Sequence, residues 1–210
     1  MPIQHSKFFP ESALAHQLLD GLKGLEIGGA AHNAFGLDTL NVDRVHHDHP
    51  DFQPYASEQK RLCGAIMPVD IVAPGDCIPV DDKSFDFVIS SHVIEHFFDP
   101  ISAIKEWMRI ATKYIFIICP QRDALESDRG KDLTPLSEHI IRYSVTEDLL
   151  GGKLGQNEDR HHSRWTCQSF ANMCMWIFTQ DWGKDWETVA VEDPDRKVGN
   201  GFTVVLKFKA

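Results

Sequence analysis

Apolar residues in ESALAHQLLDGLKG (11–24) recur at helical spacing and stop at Gly21. The spacing predicts a first helix lying beside a sheet. The period then changes. Gly24 to Ile27 reads as a short buried strand that Gly28 and Gly29 break, and TLNVD (39–43) reads as a second strand ending on an acid. Strand, glycine turn and acid-tipped strand are the parts of a nucleotide-type binding loop. Residues 44–64 are polar with two prolines and read as loop with some helix, and MPVDIVAPG (67–75) as a third buried strand closed by Pro-Gly. A strong strand runs from Phe85 to Ser90, with helical text after it through HVIEHF. Asp99 and Pro100 then supply a cap and a first helical turn for Ile101, Ile104, Trp107, Met108 and Ala111 on one face. KYIFIICP (113–120) is continuously apolar, as a strand covered on both faces must be.

The pattern breaks at Gln121. Residues 121–164 are polar and rich in charge and histidine, and read as an insertion or lid on the substrate side. WTCQSFANMCMWIFTQ (165–180) is a helix apolar nearly all round, so Trp176 and Phe178 are core or a subunit contact, which leaves a homodimer open. The last 25 residues read as two strands joined by a turn-rich loop. Alternating strand and helix units followed by a hairpin predict an open α/β sheet with one reversed strand.

Composition narrows the function. The 210 residues are 42% hydrophobic and 25% charged, as expected of a single globular domain with a core of its own. A formal net charge of −10 argues against nucleic acid as a partner, because that affinity rests on clustered Lys and Arg. No apolar run approaches a membrane span, and the first 16 residues lack a signal-peptide layout, so no membrane is expected and the cytoplasm is the expected compartment. Cys63, Cys77, Cys119, Cys167 and Cys174 are odd in number and form no C-x-x-C pair, the usage of reduced, scattered thiols.

Three segments carry a resemblance. LEIGG (25–29), NVD (41–43) and IPVDDKSFDFVISSHVIEHFFDPISAIKEWMRI (78–110) resemble, in order, class I S-adenosylmethionine-dependent methyltransferases of the type 11 domain family. The resemblance covers roughly Leu25 to Pro120. It implies a Rossmann-like open sheet of about seven mostly parallel strands with a reversed C-terminal strand, helices on both faces, and S-adenosylmethionine as cofactor. Carried onto this chain, Gly28 and Gly29 would line the methionine portion, and Glu26 would orient the loop or meet the ammonium through water. Asp43 would accept from the ribose hydroxyls. Asp76 with Cys77 is the nearest candidate for the adenine, and Ser91 and His92 would lie beside the sulfonium. The chain departs from the family where Ala30 and His32 replace turn glycines and where Pro74 replaces the adenine-contacting acid.

The acceptor side is read from position. Residues after the fifth strand commonly meet the acceptor in the family, which makes Arg122, Asp123, His139, His162 and Trp165 candidates. A histidine with an ordinary pKa could take the acceptor's proton, and His92, His139 and His162 are the candidates. In HVIEH, His92 and His96 stand four apart, one helix face, but the H-E-x-x-H order is absent. RVHHDHP and EDRHHSRW could meet around an ion, with His139 joining them, but histidine-rich loops are usually just solvated, and no metal is expected. The predicted activity is methyl transfer to an O or N of a small-molecule or glycan-like acceptor. The competing expectation is a non-catalytic protein that binds S-adenosylmethionine or S-adenosylhomocysteine.

Overall fold

The computed structural model describes residues 12–29, 35–150 and 160–209. Ala30, His32 and the Gly151-Gly152 pair lie outside them. Helix α1 (Ala13–Leu19) starts at Ser12, whose Oγ accepts from the Ala15 N–H. Strands β1 (Lys23–Ile27) and β2 (Asp38–Asp43) follow, then α2 (Gln53–Cys63), β3 (Ile71–Val72), β4 (Phe85–Ser91), α3 (Pro100–Ile110) and β5 (Ala111–Pro120). The chain ends with α4 (Leu136–Leu150), α5 (Cys167–Ile177) and the hairpin β6 (Trp186–Glu192) and β7 (Gly201–Phe208).

All seven strands form one sheet in the order β3-β2-β1-β4-β5-β7-β6. β7 runs antiparallel to both its neighbours, and the pairs from β3 through β5 are parallel. The chain builds outward from β1 to β3 and then returns to lay β4 on the other side of β1. The connections leave the carboxyl ends of β1 and β4 in opposite directions, which opens a crevice there.

Alternation along the strands covers the sheet on both faces. Leu25, Ile27, Val88, Ile115 and Ile117 face α3 and α5 in the larger core, while Phe87, Ile89, Phe116 and Ile118 face α1 and Phe35. Three elements differ from the sequence expectation. The third strand is two residues long, because Pro68 and Pro74 lack an N–H and the Met67 and Val69 amides donate to the Gln59 and His47 side chains instead. After β4 there is a single 3₁₀ turn, Ile94–His96, in place of a helix. The block 121–164 contains the 15-residue helix α4. Leu136 and Tyr143 pack against the core, but two polar residues, His139 and Thr146, are buried and Ile141 and Val145 are exposed, so the apolar face is mixed. Among the described residues, no helix is long and apolar enough to cross a membrane.

Candidate functional site

The glycine turn lies at the crevice. Gly28 sits at φ +66°, and a Cβ there would come within 2.6 Å of the Val93 side chain just past β4. A Cβ on Gly29 would meet the Met67 sulfur at 2.7 Å. Gly29 is also tied by its backbone: its N–H donates to Asn41 Oδ1 (3.1 Å), and its carbonyl accepts from Gln59 Nε2 (2.7 Å). Asn41 Nδ2 in turn donates to the Pro68 carbonyl. This buried amide set fixes the turn against β2. Sequence reading missed Asn41 and Gln59, because their partners are backbone atoms 12 and 30 residues away.

Asp43 ends β2 at the same edge. Its Oδ1 accepts from the Val45 N–H (3.4 Å), and burial raises its carboxyl against the pull of the Val45 and Arg44 amides and the Arg44 charge. Glu26 is buried in β1, accepts from the Thr39 hydroxyl (3.4 Å) and is pushed up to about 7 by burial, which the Lys197 charge partly opposes. Asp76 and Cys77 lie in the turn after β3, where Cys77 N–H donates to the Pro74 carbonyl and a Cβ on the neighbouring Gly75 would meet the Ile27 side chain of β1 at 2.8 Å. Asp76 is buried and lines a cavity along α3 with Ser102, Lys105 and Glu106.

The exit of β4 carries a second set of polar groups. The Ser91 hydroxyl is buried without a hydrogen-bond partner among the described residues. His92 takes φ +55°, uncommon for a residue other than glycine, and its N–H still donates to the Ile118 carbonyl on β5. The left-handed turn there, followed by Asp99-Pro100, is why HVIEH does not form a helix. His92 and His96 therefore share no helix face. Instead they flank Glu95, with His92 Nδ1 at 3.8 Å and His96 Nε2 at 4.0 Å from Glu95 Oε1.

The polar block reaches the same place. His162 and Ser163 both donate their N–H to the Glu95 carbonyl, at 2.8 and 3.2 Å. His161 is thereby brought beside Glu95, and its Nδ1 is hydrogen-bonded to Asp128 at 2.5 Å. Burial, with some help from Asp128, pushes the Glu95 carboxyl up to about 8. Glu95, His161 and Asp128 were not among the sequence candidates. HVIEH and EDRHHSRW signalled the first two as types, but nothing local marks Asp128.

The other acceptor-side candidates separate. His139 is buried, stacks on Trp165 and accepts from its indole N–H (2.9 Å), and burial with Arg142 pulls it down to about 3. The His162 ring lies edge-on to Phe98. Arg122 and Asp123 pair with each other at 3.0 Å near the surface. RVHHDHP forms a group of its own: among the described residues, His46, His47 and Asp48 cluster together, apart from the group that His161 joins.

Residues 29–117 match the family described as "Methyltransferase domain". By fold the chain is similar to a SAM-dependent methyltransferase from Methanosarcina mazei, with a TM-score of 0.52 at 14% identity over 93% of this chain and 97% of that one. It is similar to the same degree, TM-score 0.52, to a Pyrococcus horikoshii protein at 17% identity over 93% of this chain and 85% of that one. No curated protein matches by sequence. Residues 29–117 thus resemble a methyltransferase domain, and the seven-stranded sheet is the fold of the solved SAM-dependent methyltransferase to which the chain is similar. S-adenosylmethionine is the cofactor of the Methanosarcina mazei protein.

The residues present fit that cofactor in two places. Asp43 offers a half-buried carboxylate at the tip of β2, suited to a diol. Ser91 offers an orphaned buried hydroxyl at the tip of β4. The Gly29 N–H is already committed to Asn41, and its carbonyl has accepted one hydrogen bond, from Gln59.

Proposed function

We propose that the protein transfers a methyl group from S-adenosylmethionine to an O or N of a small-molecule or glycan-like acceptor. The observation that supports this reading is the close approach of Val93 to Gly28, which brings the exit of β4, with Ser91 and His92, beside the glycine turn. Bound S-adenosylmethionine supplies a methyl on a sulfonium, an electrophile with a neutral thioether as leaving group. The protein's task is then alignment and exclusion of water. Asp43 would hold the ribose diol, and Ser91 would donate to the amino-acid end.

His92 is the group we favour for receiving the acceptor's proton, because its backbone is fixed to β5 and Glu95 stands beside its ring. Of the two other histidines considered, His139 already has its Nε2 engaged by Trp165, which favours a positioning role, and His162 suits the acceptor rim. The block 121–164 acts as a substrate-side lid in this reading, since two of its amides are pinned to the Glu95 carbonyl. The acidic balance supports a small acceptor over a nucleic acid or a membrane surface, and buried free Cys119 and Cys174 support a cytoplasmic setting. Exposed Met175 and Ile141 leave room for a homodimer.

The test uses isotopically labelled cofactor with pools of hydroxyl- and amine-bearing small molecules and glycans. Methylated product is expected from wild type, with His92→Gln slowing kcat by about 10²- to 10⁴-fold. S-adenosylhomocysteine affinity should stay within a few-fold. A second reading, a non-catalytic cofactor-binding protein, is favoured by Pro74 standing in place of an adenine-contacting acid. Tight cofactor binding with no product from any pool would support it.

A further inference from the structure

Glu95 is 1% exposed, and its Oε2 has no hydrogen-bond partner among the described residues. Its Oε1 faces the Nε2 atoms of His161 and His96 at 3.8 and 4.0 Å. These separations allow attraction but lie beyond hydrogen-bonding reach. A buried carboxylate left this way is costly unless something occupies the space between the donors. A first-row divalent ion bonds imidazole nitrogen and carboxylate oxygen at about 2.0–2.2 Å, so its donors stand roughly 3–4 Å apart across it. One ligand atom from each of Glu95, His96 and His161 can be chosen so that all three lie within 4.8 Å of one another.

A second arrangement points the same way. His161 has its Nδ1 bonded to Asp128 at 2.5 Å, and Asp128 is itself buried. A carboxylate on one ring nitrogen fixes the tautomer and turns the other nitrogen, with its lone pair, toward an ion. Lys131 and Arg164 hold Asp128 at 3.6 and 3.8 Å. The amides of His162 and Ser163 lock the loop to Glu95, so the third donor is fixed by backbone hydrogen bonds. The His46, His47 and Asp48 group has none of this: His46 and Asp48 are exposed, and His47 Nδ1 is already used by the Val69 amide.

We propose that Glu95, His96 and His161 bind one divalent transition-metal ion, Zn²⁺ by the match of two imidazoles and one carboxylate, with Asp128 as the positioning residue for His161. Three protein ligands leave a coordination position open, and His96, 32% exposed, lies at the solvent side. That position suits an oxygen of the acceptor, a role that rests on the methyl-transfer reading; the ion site itself does not.

The experiment is calorimetric titration of chelator-stripped, untagged full-length protein with Zn²⁺, without cofactor or acceptor. One equivalent should bind. His96→Ala and His161→Ala should each weaken binding by more than about 100-fold, and Asp128→Asn by about 10- to 100-fold, the range for a lost outer partner. His47→Ala should leave it unchanged. The absence of saturable binding to wild type, or His96→Ala and His161→Ala variants that bind as wild type does, would overturn the proposal. Should a variant fail to fold, X-ray absorption on wild-type protein with one equivalent of Zn²⁺ decides. Two imidazoles in the coordination shell support the site, and a shell of oxygens alone sinks it. Inactivity in the acceptor screen leaves these readouts untouched.

Discussion

Burial does chemical work at Glu26. The carboxyl is pushed up to about 7 from 4.5, with Thr39 and Lys197 offsetting only part of the desolvation. A raised folded value means that its contribution to stability is complete below pH 4.5 and is lost as pH rises through about 7. Glu26→Gln cannot ionise. Its unfolding free energy relative to wild type should therefore shift in its favour by on the order of 2–3 kcal/mol across that window, as measured by urea unfolding at a series of pH values. At Gly28 the backbone decides: φ is +66° and Val93 occupies the space for a side chain. Gly28→Ala should cost about 1–2 kcal/mol from the left-handed conformation alone, more once Val93 must move, read as a lower urea midpoint with unchanged slope. The sequence marked Gly28 as special. It could not say that Val93, 65 residues on, is what makes it so.

Among the elements, the start of α3 was legible to the residue, whereas Ala111, expected on its inner face, opens β5. Asp99 Oδ1 accepts from the Ile101 and Ser102 amides at 3.1 Å each, and Oδ2 accepts from the Ser102 hydroxyl at 2.5 Å. Asp99→Ala should cost about 1–2 kcal/mol, roughly 2–8 °C in Tm for a chain of this size, measured by differential scanning calorimetry. Helix α4 was not legible, because it turns His139 and Thr146 inward and Ile141 outward. His139 Nε2 has a tertiary partner, the Trp165 indole N–H, while the Thr146 hydroxyl donates to the Arg142 carbonyl one turn back in the same helix. HVIEH misled in the opposite sense. Its helical spacing was real, but a positive φ at His92 and the proline at 100 allow only one 3₁₀ turn.

For the whole molecule, the strand order places the crevice, and ligand binding there should stabilise the entire fold. With S-adenosylhomocysteine at about 100 times its Kd, unfolding should become harder by about 2.7 kcal/mol, seen as a rise in Tm. Asp43→Ala should remove most of that rise, since a lost hydrogen bond to a charged group costs about 1.5–3 kcal/mol of binding, roughly ten- to a hundredfold in Kd. The sequence by itself determined the sheet class, the reversed last strand, the glycine turn, the acid at the tip of β2 and the family resemblance. Each of these is a local signal: a period, a cap, a turn residue or a contiguous motif. Only the tertiary structure decided that Asn41 and Gln59 hold the turn, that Asp76 lies along α3, and that Asp128, His161 and Glu95 meet. Those groups are brought together from 12 or more residues apart by strand order and by hydrogen bonds between loops. No local pattern encodes such a meeting, because the hydrogen bonds and burial that produce it exist only once the sheet has formed.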